Sequence, residues 1–141
     1  MTLIDANILM YAAGAPHPSK APSAQLLEQI ALGQVNAALD AEVLQEVLHR
    51  YRAIDRWTAG SAVYDDARQL FDTVLPISSE VTDRARRLLH EHKGISARDA
   101  IHAAVALVHS LDSLCSYDRG FDAVPTLVRV TPGDLVVPTQ Q

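Results

Sequence analysis

Residues 96–122 read SARDAIHAAVALVHSLDSLCSYDRGFD, an Ala/Val/Leu-rich stretch followed by a short apolar run that ends at Tyr117-Asp118. Ser96 is placed to open a helix whose packing side carries Ala100, Ala103, Ala104 and Leu107, and Ser113 to Tyr117 reads as a strand. Burying a carboxylate without a partner is costly. Asp99 and Asp118, at the two ends of this apolar segment, therefore belong at element ends, where a cap, an ion or water meets them.

The same alternation of helix and short strand runs through the rest of the chain. Thr2-Leu3-Ile4-Asp5 reads as a short buried strand ending in polar residues, and the proline-rich Gly14–Pro22 stretch as a loop. Ser19 is the predicted cap of a helix that tolerates Pro22 in its first turn, turns Leu27, Ile30 and Ala31 inward and stops at Gly33. A second strand is expected near Val35–Leu39. Asp40 then caps a helix with Leu44, Val47, Leu48 and Tyr51 at helical spacing, which sets Glu42 and Glu46 beside each other on a different face. A helix over Thr58–Val74, a strand at Leu75–Ile77, a helix from Ser78-Ser79 to Gly94 and a last strand at Leu127–Val130 complete the pattern, before a Thr131–Gln141 tail rich in turn formers. Such alternation predicts an α/β fold with a parallel sheet covered on both faces.

With 141 residues and 48% hydrophobic composition, the chain is sized for one ordinary core, and a single domain over residues 1–141 is expected. No apolar run approaches the roughly 20 residues that cross a bilayer, and MTLIDANIL carries an acid where a secretory signal carries positive charge. The expectation is a cytoplasmic protein without membrane contact. The lone Cys115 sits in an apolar run and reads as a small buried side chain. A net charge of −5 argues against holding nucleic acid by overall charge, although Arg50, Arg52 and Arg56 cluster locally. The second basic stretch, Arg84, Arg86, Arg87 and Lys93, reads as a solvated helix face.

In open parallel sheets, sites form beyond the carboxyl ends of the strands. Asp5 and Asp118 fall there, and Asp99, in the first turn of a helix, and Glu46, in mid-helix, reach the same crevice if their helices pack beside those strands. Each acid alone has an ordinary explanation. Ser96-x-x-Asp99 fits a capping box, Asp118 and Asp5 suit turns, and Glu46 beside Glu42 suits a solvated face. Together they need a different one, because convergent carboxylates raise one another's pKa unless a cation joins them. An all-oxygen set suits Mg²⁺ or Mn²⁺, and with such ions phosphodiester hydrolysis.

Leu3-Ile4-Asp5-Ala6-Asn7, Leu44-Gln45-Glu46-Val47-Leu48, Arg98-Asp99-Ala100-Ile101-His102-Ala103-Ala104 and Ser116-Tyr117-Asp118-Arg119-Gly120-Phe121-Asp122 resemble the successive motifs of PIN domains, in order and across almost the whole chain. Among these the chain most resembles the VapC-like toxins of bacterial toxin–antitoxin pairs. The resemblance implies a three-layer α/β/α fold with a short central parallel sheet flanked by helices. It also implies a metal-dependent endoribonuclease in which Asp5, Glu46, Asp99 and Asp118 hold Mg²⁺ or Mn²⁺, with Asn7, Ser116 and Asp122 as supporting positions. The family often carries Thr at the position of Ser116, which keeps the hydroxyl. RNA as substrate, a cognate antitoxin and a homodimer are the partners it implies. Arg98, Arg119 or Arg50 would contact flanking phosphates or serve equally well as plain surface charge, and surface loops such as Gly14–Pro22 and Arg52–Gly60 would set the RNA preference.

Three other readings compete. Glu46-x-x-His49 and Asp99-x-x-His102 repeat the carboxylate–histidine spacing of di-iron helical bundles, but strand-like segments at Leu3, Leu75 and Leu114 interrupt the long helices such a bundle needs. A non-catalytic module that binds RNA or protein would keep the same acids. A phosphoacceptor receiver domain lacks its lysine here, since Lys20 and Lys93 are the only lysines. His102 and His109 read as packing residues or as supports behind the ligands, and His90-Glu91-His92 lacks zinc spacing.

Overall fold

Five short strands, β1 (Thr2–Ile4), β2 (Ala37–Asp40), β3 (Val74–Leu75), β4 (Ser113–Cys115) and β5 (Arg129–Val130), pair in parallel in the order β3-β2-β1-β4-β5. This computed structural model describes residues 1–138, so the end of the predicted Thr131–Gln141 tail lies outside the described residues. Alternation along the strands builds both faces of the sheet. Ile4 and Cys115 point into one core, whereas Leu3 and Leu114 point into the other.

The first core lies under α1 (Ala6–Ala13), α2 (Lys20–Ala31), α3 (Ala41–Ala53) and α4 (Trp57–Leu70). The second lies under α5 (Ser79–Glu91) and α6 (Ala97–Val108), where Ala100, Ala103, Ala104, Val105 and Ala106 form a small-residue face that lets α6 sit close to the sheet. Helix, sheet and helix make the three layers expected of a PIN-like α/β fold. Cys115 is fully buried, and burial pushes its thiol up to about 12, leaving it inert.

Several boundaries differ from the sequence reading. The apolar ANILMYAA segment is α1: no polar face marks it as amphipathic, and Asp5 supplies the cap through Ala6 N–H at 2.7 Å. On α2, Leu26, Gln29 and Ile30 are buried, Leu27 packs partly buried against the core, and the expected Ala31 is exposed. The side chain of Ser19 makes no capping bond, but Gly33 follows the end of the helix at φ +74°, a conformation that glycine adopts freely. Helix α4 stops at Leu70, short of the expected Val74, which belongs instead to β3. The expected Gly14–Pro22 loop contracts to 14–19 and Arg52–Gly60 to 54–56. A one-turn helix, α7 (Pro132–Leu135), occupies the tail, its start held by Thr131 N–H to Asp134 at 2.8 Å.

Chain order turns back on itself between β1 and β4. β2 and β3 extend the sheet on one side of β1, and β4 and β5 on the other. The crevice at such a switch point opens beyond the strand ends, next to Asp5 and Asp118.

Candidate active site

The register of β1 against β4 decides the first contact. Ile4 pairs with Cys115, and Asp5 N–H continues the ladder to the Cys115 carbonyl at 3.0 Å, which puts Asp5 alongside Ser116. Ser116 is fully buried and its hydroxyl is a hub: it donates to Asp5 Oδ2 at 2.6 Å and accepts from Asn7 Nδ2 and from the Asp118 N–H, each at 3.0 Å. One hydroxyl therefore links the ends of both central strands. Because its proton goes to Asp5, the atom of Asn7 that faces it has to be the amide nitrogen, and Asn7 Oδ1 is left buried with no hydrogen-bond partner.

Asp5 and Glu46 are themselves buried, at 7% and 8% exposure. What makes this tolerable is His102, which is 1% exposed and reaches across from α6. Its Nε2 lies 2.9 Å from Glu46 Oε1 and 3.8 Å from Asp5 Oδ1, and its Nδ1 lies 2.6 Å from Asp40 Oδ2. Burial pulls the histidine pKa down, but the hydrogen bonds to Asp40 and Glu46 overcome it and hold the ring well above its ordinary value. Both ring nitrogens face carboxylate oxygens, which accept, so each is placed to donate. Asp5, Glu46 and His102 present their polar atoms within 4.8 Å of one another, and with both ring nitrogens engaged by Asp40 and Glu46, His102 is placed to brace the acids from behind. Asp40 meanwhile caps α3 through Val43 N–H at 2.9 Å, tying the brace to the helix that carries Glu46. Burial raises the pKa of Asp5, while His102 and Ser116 oppose the rise.

Asp99 and Asp118 form the open half of the site. Asp99 stands in the first turn of α6, where its N–H bonds to Ser96 Oγ at 3.2 Å, and its carboxyl turns to Asp118. Burial, then the hydrogen bond and charge of Asp118, push Asp99 up to about 7. Asp118 caps a 3₁₀ turn (Arg119–Ala123) by accepting from Gly120 N–H at 2.8 Å. A Cβ on residue 120 would stand 3.1 Å from Asp118 Oδ1 and 3.4 Å from Asp99 Oδ2, so glycine leaves both carboxylates room.

The four acids predicted from the sequence, Asp5, Glu46, Asp99 and Asp118, line one crevice of about 800 Å³ together with Asn7. Asp122 does not join them. It forms a two-pronged pair with Arg129, at 2.9 and 3.2 Å, and Arg129 Nη1 donates to the Ser116 carbonyl at 3.1 Å, so its support reaches the site only through Arg129. Arg50 and Arg98 line the crevice, as does Arg56, whereas Arg119 does not; Arg98 Nε lies 3.5 Å from Glu46. Glu46 occupies no solvated face. Sequence reading did not find the partnership of Asp40 and His102, since a helix cap and an alanine-flanked histidine each have a complete local explanation.

The PIN domain family model matches residues 2–127. The chain belongs to the PIN domain family. Within that family, ribonuclease VapC13 of Mycobacterium tuberculosis is 44% identical over 130 residues, covering 92% of this chain and 99% of the relative. Among solved PIN-like structures, a toxin–antitoxin complex from Klebsiella pneumoniae superposes with a TM-score of 0.67 at 23% identity, covering 94% and 98% of the two chains. VapC20 of Mycobacterium tuberculosis, described as a sarcin-ricin loop cleaving toxin, superposes with a TM-score of 0.73 at 17% identity, covering 92% and 98%. Both confirm the PIN fold.

Proposed function

We propose that this PIN domain is, as a single domain, a metal-dependent endoribonuclease and the toxin of a type II toxin–antitoxin pair. The observation that carries the reading is the meeting of Asp5, Glu46, Asp99 and Asp118 in one crevice, where burial, then the hydrogen bond and charge of Asp118, push Asp99 up to about 7. The donor set fits a hard divalent ion. It is all oxygen once His102 is excluded, Asn7 Oδ1 is a buried acceptor without a partner, and Gly120 keeps the space between Asp99 and Asp118 clear. Mg²⁺ and Mn²⁺ prefer such donors.

Asp5, Glu46, Asp99 and Asp118 would hold the ion. When bound, a divalent ion supplies a nucleophilic hydroxide at neutral pH and stabilises charge on the phosphate oxygens. The chain's own groups set the stage for this. Ser116 and His102 orient Asp5 and Glu46, and Arg50, Arg56 and Arg98 offset the phosphate charge that the acids would otherwise repel. An antitoxin partner is supported by a structural neighbour that is itself a toxin–antitoxin complex, and a homodimer is what the resemblance to VapC toxins implies. No helix among the described residues is long and apolar enough to cross a membrane, in keeping with a cytoplasmic setting.

The test is cleavage of a labelled total-RNA pool with Mg²⁺, Mn²⁺ or EDTA, comparing the wild type with Asp5→Asn purified identically. Cleavage that requires the metal and disappears in Asp5→Asn, with the circular-dichroism spectrum unchanged, is the expected result. Equal cleavage by both proteins would remove the assigned role of Asp5, and absence of cleavage by either would favour the non-catalytic binding module.

A further inference from the structure

One wall of the crevice is neither acidic nor basic. Tyr11 and His17 line it, and with Tyr117 they form a row of three rings. Tyr117 meets Tyr11 edge-on, with centroids 5.3 Å apart and planes at 86°, and Tyr11 packs against His17 at 4.6 Å with planes 31° apart.

Both ends of the row are held. At the inner end, Tyr117 Oη bonds to Ser23 Oγ on α2 at 2.9 Å and donates to the Ser19 carbonyl at 3.3 Å. At the outer end, His17 lies between Pro16 and Pro18 and its Nδ1 accepts from Ser19 N–H at 3.0 Å. Its own carbonyl accepts from Lys20 N–H at 3.0 Å, and Lys20 Nζ reaches back to the Gly14 carbonyl at 2.5 Å, closing the loop. Yet His17 is exposed. A ring that is fixed by its neighbours and still open to solvent can accept a stacking partner with little further loss of conformational entropy.

The crevice already separates chemistry for the other parts of a nucleotide, with acids for the ion at the reacting phosphate and Arg50 and Arg56 for backbone charge. A flat, preorganised, aromatic surface complements the remaining part, the base. We infer that His17, backed by Tyr11, is a stacking platform for one unpaired base of the RNA that lies beside the four acids. The platform rests on the ribonuclease reading and adds its substrate class. Every base has a π face, so the platform selects single-stranded over paired RNA and discriminates weakly among bases.

The experiment uses full-length protein carrying Asp5→Asn to prevent cleavage, and reads fluorescence anisotropy with two probes: a short single-stranded RNA of random sequence and the same ribose-phosphate backbone without bases. Adding His17→Ala is expected to weaken binding of the RNA about tenfold, the scale of one lost base–aromatic contact, while leaving the abasic probe unchanged. His17→Phe, which keeps a flat ring, is expected to restore RNA binding. Unchanged RNA binding by His17→Ala, or equal weakening on both probes, overturns the platform. Cleavage by the wild type, followed in parallel, separates the two levels of the inference: if the wild type cuts RNA and His17→Ala binds normally, only the platform falls, whereas a wild type that neither binds nor cuts RNA removes both.

Discussion

The two halves of the acidic crevice manage the same electrostatic problem in opposite ways. Asp5, Glu46 and Asp40 are all under a tenth exposed, and one imidazolium, His102, together with the Ser116 hydroxyl satisfies them inside the protein. Asp99 and Asp118 lie closer to solvent and, among the described residues, have no cationic residue bonded to them; burial, then the hydrogen bond and charge of Asp118, push Asp99, the less exposed of the two, up to about 7. The buried acids have their partners within the protein before anything binds. The open half becomes fully charged only at a cost, which a divalent cation would remove. Packing thus fixes where an ion would go, and the open pair would make its binding matter.

The largest effect should come from taking away the brace. His102→Ala leaves Asp40 and Glu46 buried without their shared donor, and the loss expected for breaking a buried charge pair is about 3–5 kcal/mol of folding stability, measurable by urea denaturation. Where the variant still folds, Mn²⁺ affinity read by electron paramagnetic resonance should drop by about 10–100-fold, as when the support behind a ligand is removed. A loss of stability under about 1 kcal/mol would mean that the buried half is not held by His102, and the contrast between the halves would break.

A smaller effect should mark the open half. The folded protein holds the Asp99 proton more tightly than the unfolded chain, whose ordinary value is 3.8, so this site favours folding at low pH and that advantage is lost as pH rises from 3.8 through about 7. Because Asp99 is only half-buried, screening keeps the loss modest. Without divalent ions, urea midpoints should decline across this window. Asp99→Asn should flatten the decline, and Mn²⁺ at the upper end should restore the wild-type midpoint. A wild-type profile as flat as that of Asp99→Asn would place the repulsion elsewhere.

The smallest effect is expected at Asp122. Its pair with Arg129 is exposed and acts on the site only through the Ser116 carbonyl. Asp122→Asn should leave the melting temperature unmoved and lower cleavage only slightly, whereas a loss as complete as that of Asp5→Asn would make Asp122 a direct participant.

Much of this was readable along the chain. Asp40, Ser78 and Ser96 are helix caps as their positions imply, with side chains accepting from Val43, Val81 and Asp99 N–H. All five strands lie at or within two or three residues of their expected places, because short β-rich runs between helices have no other use in an α/β chain. Helix α1 was missed for a physical reason: a segment buried on most sides carries no amphipathic period to detect. Glu46, one of the four acids expected at the site, had a solvated face beside Glu42 as its ordinary alternative, because the helix period cannot say which neighbouring element will cover that face.

The sequence by itself determined the elements other than α1 and α7, their parallel arrangement and the identity of the four acids, because caps, periodicity and motif order are local properties that survive without a fold. Only the tertiary structure decided how those acids are held. Asp40, Glu46 and His102 are up to 62 positions apart in sequence, and Asp5 and Ser116 are 111 apart. What joins them is strand register and the close seating of α6, and neither leaves a mark on the residues one at a time.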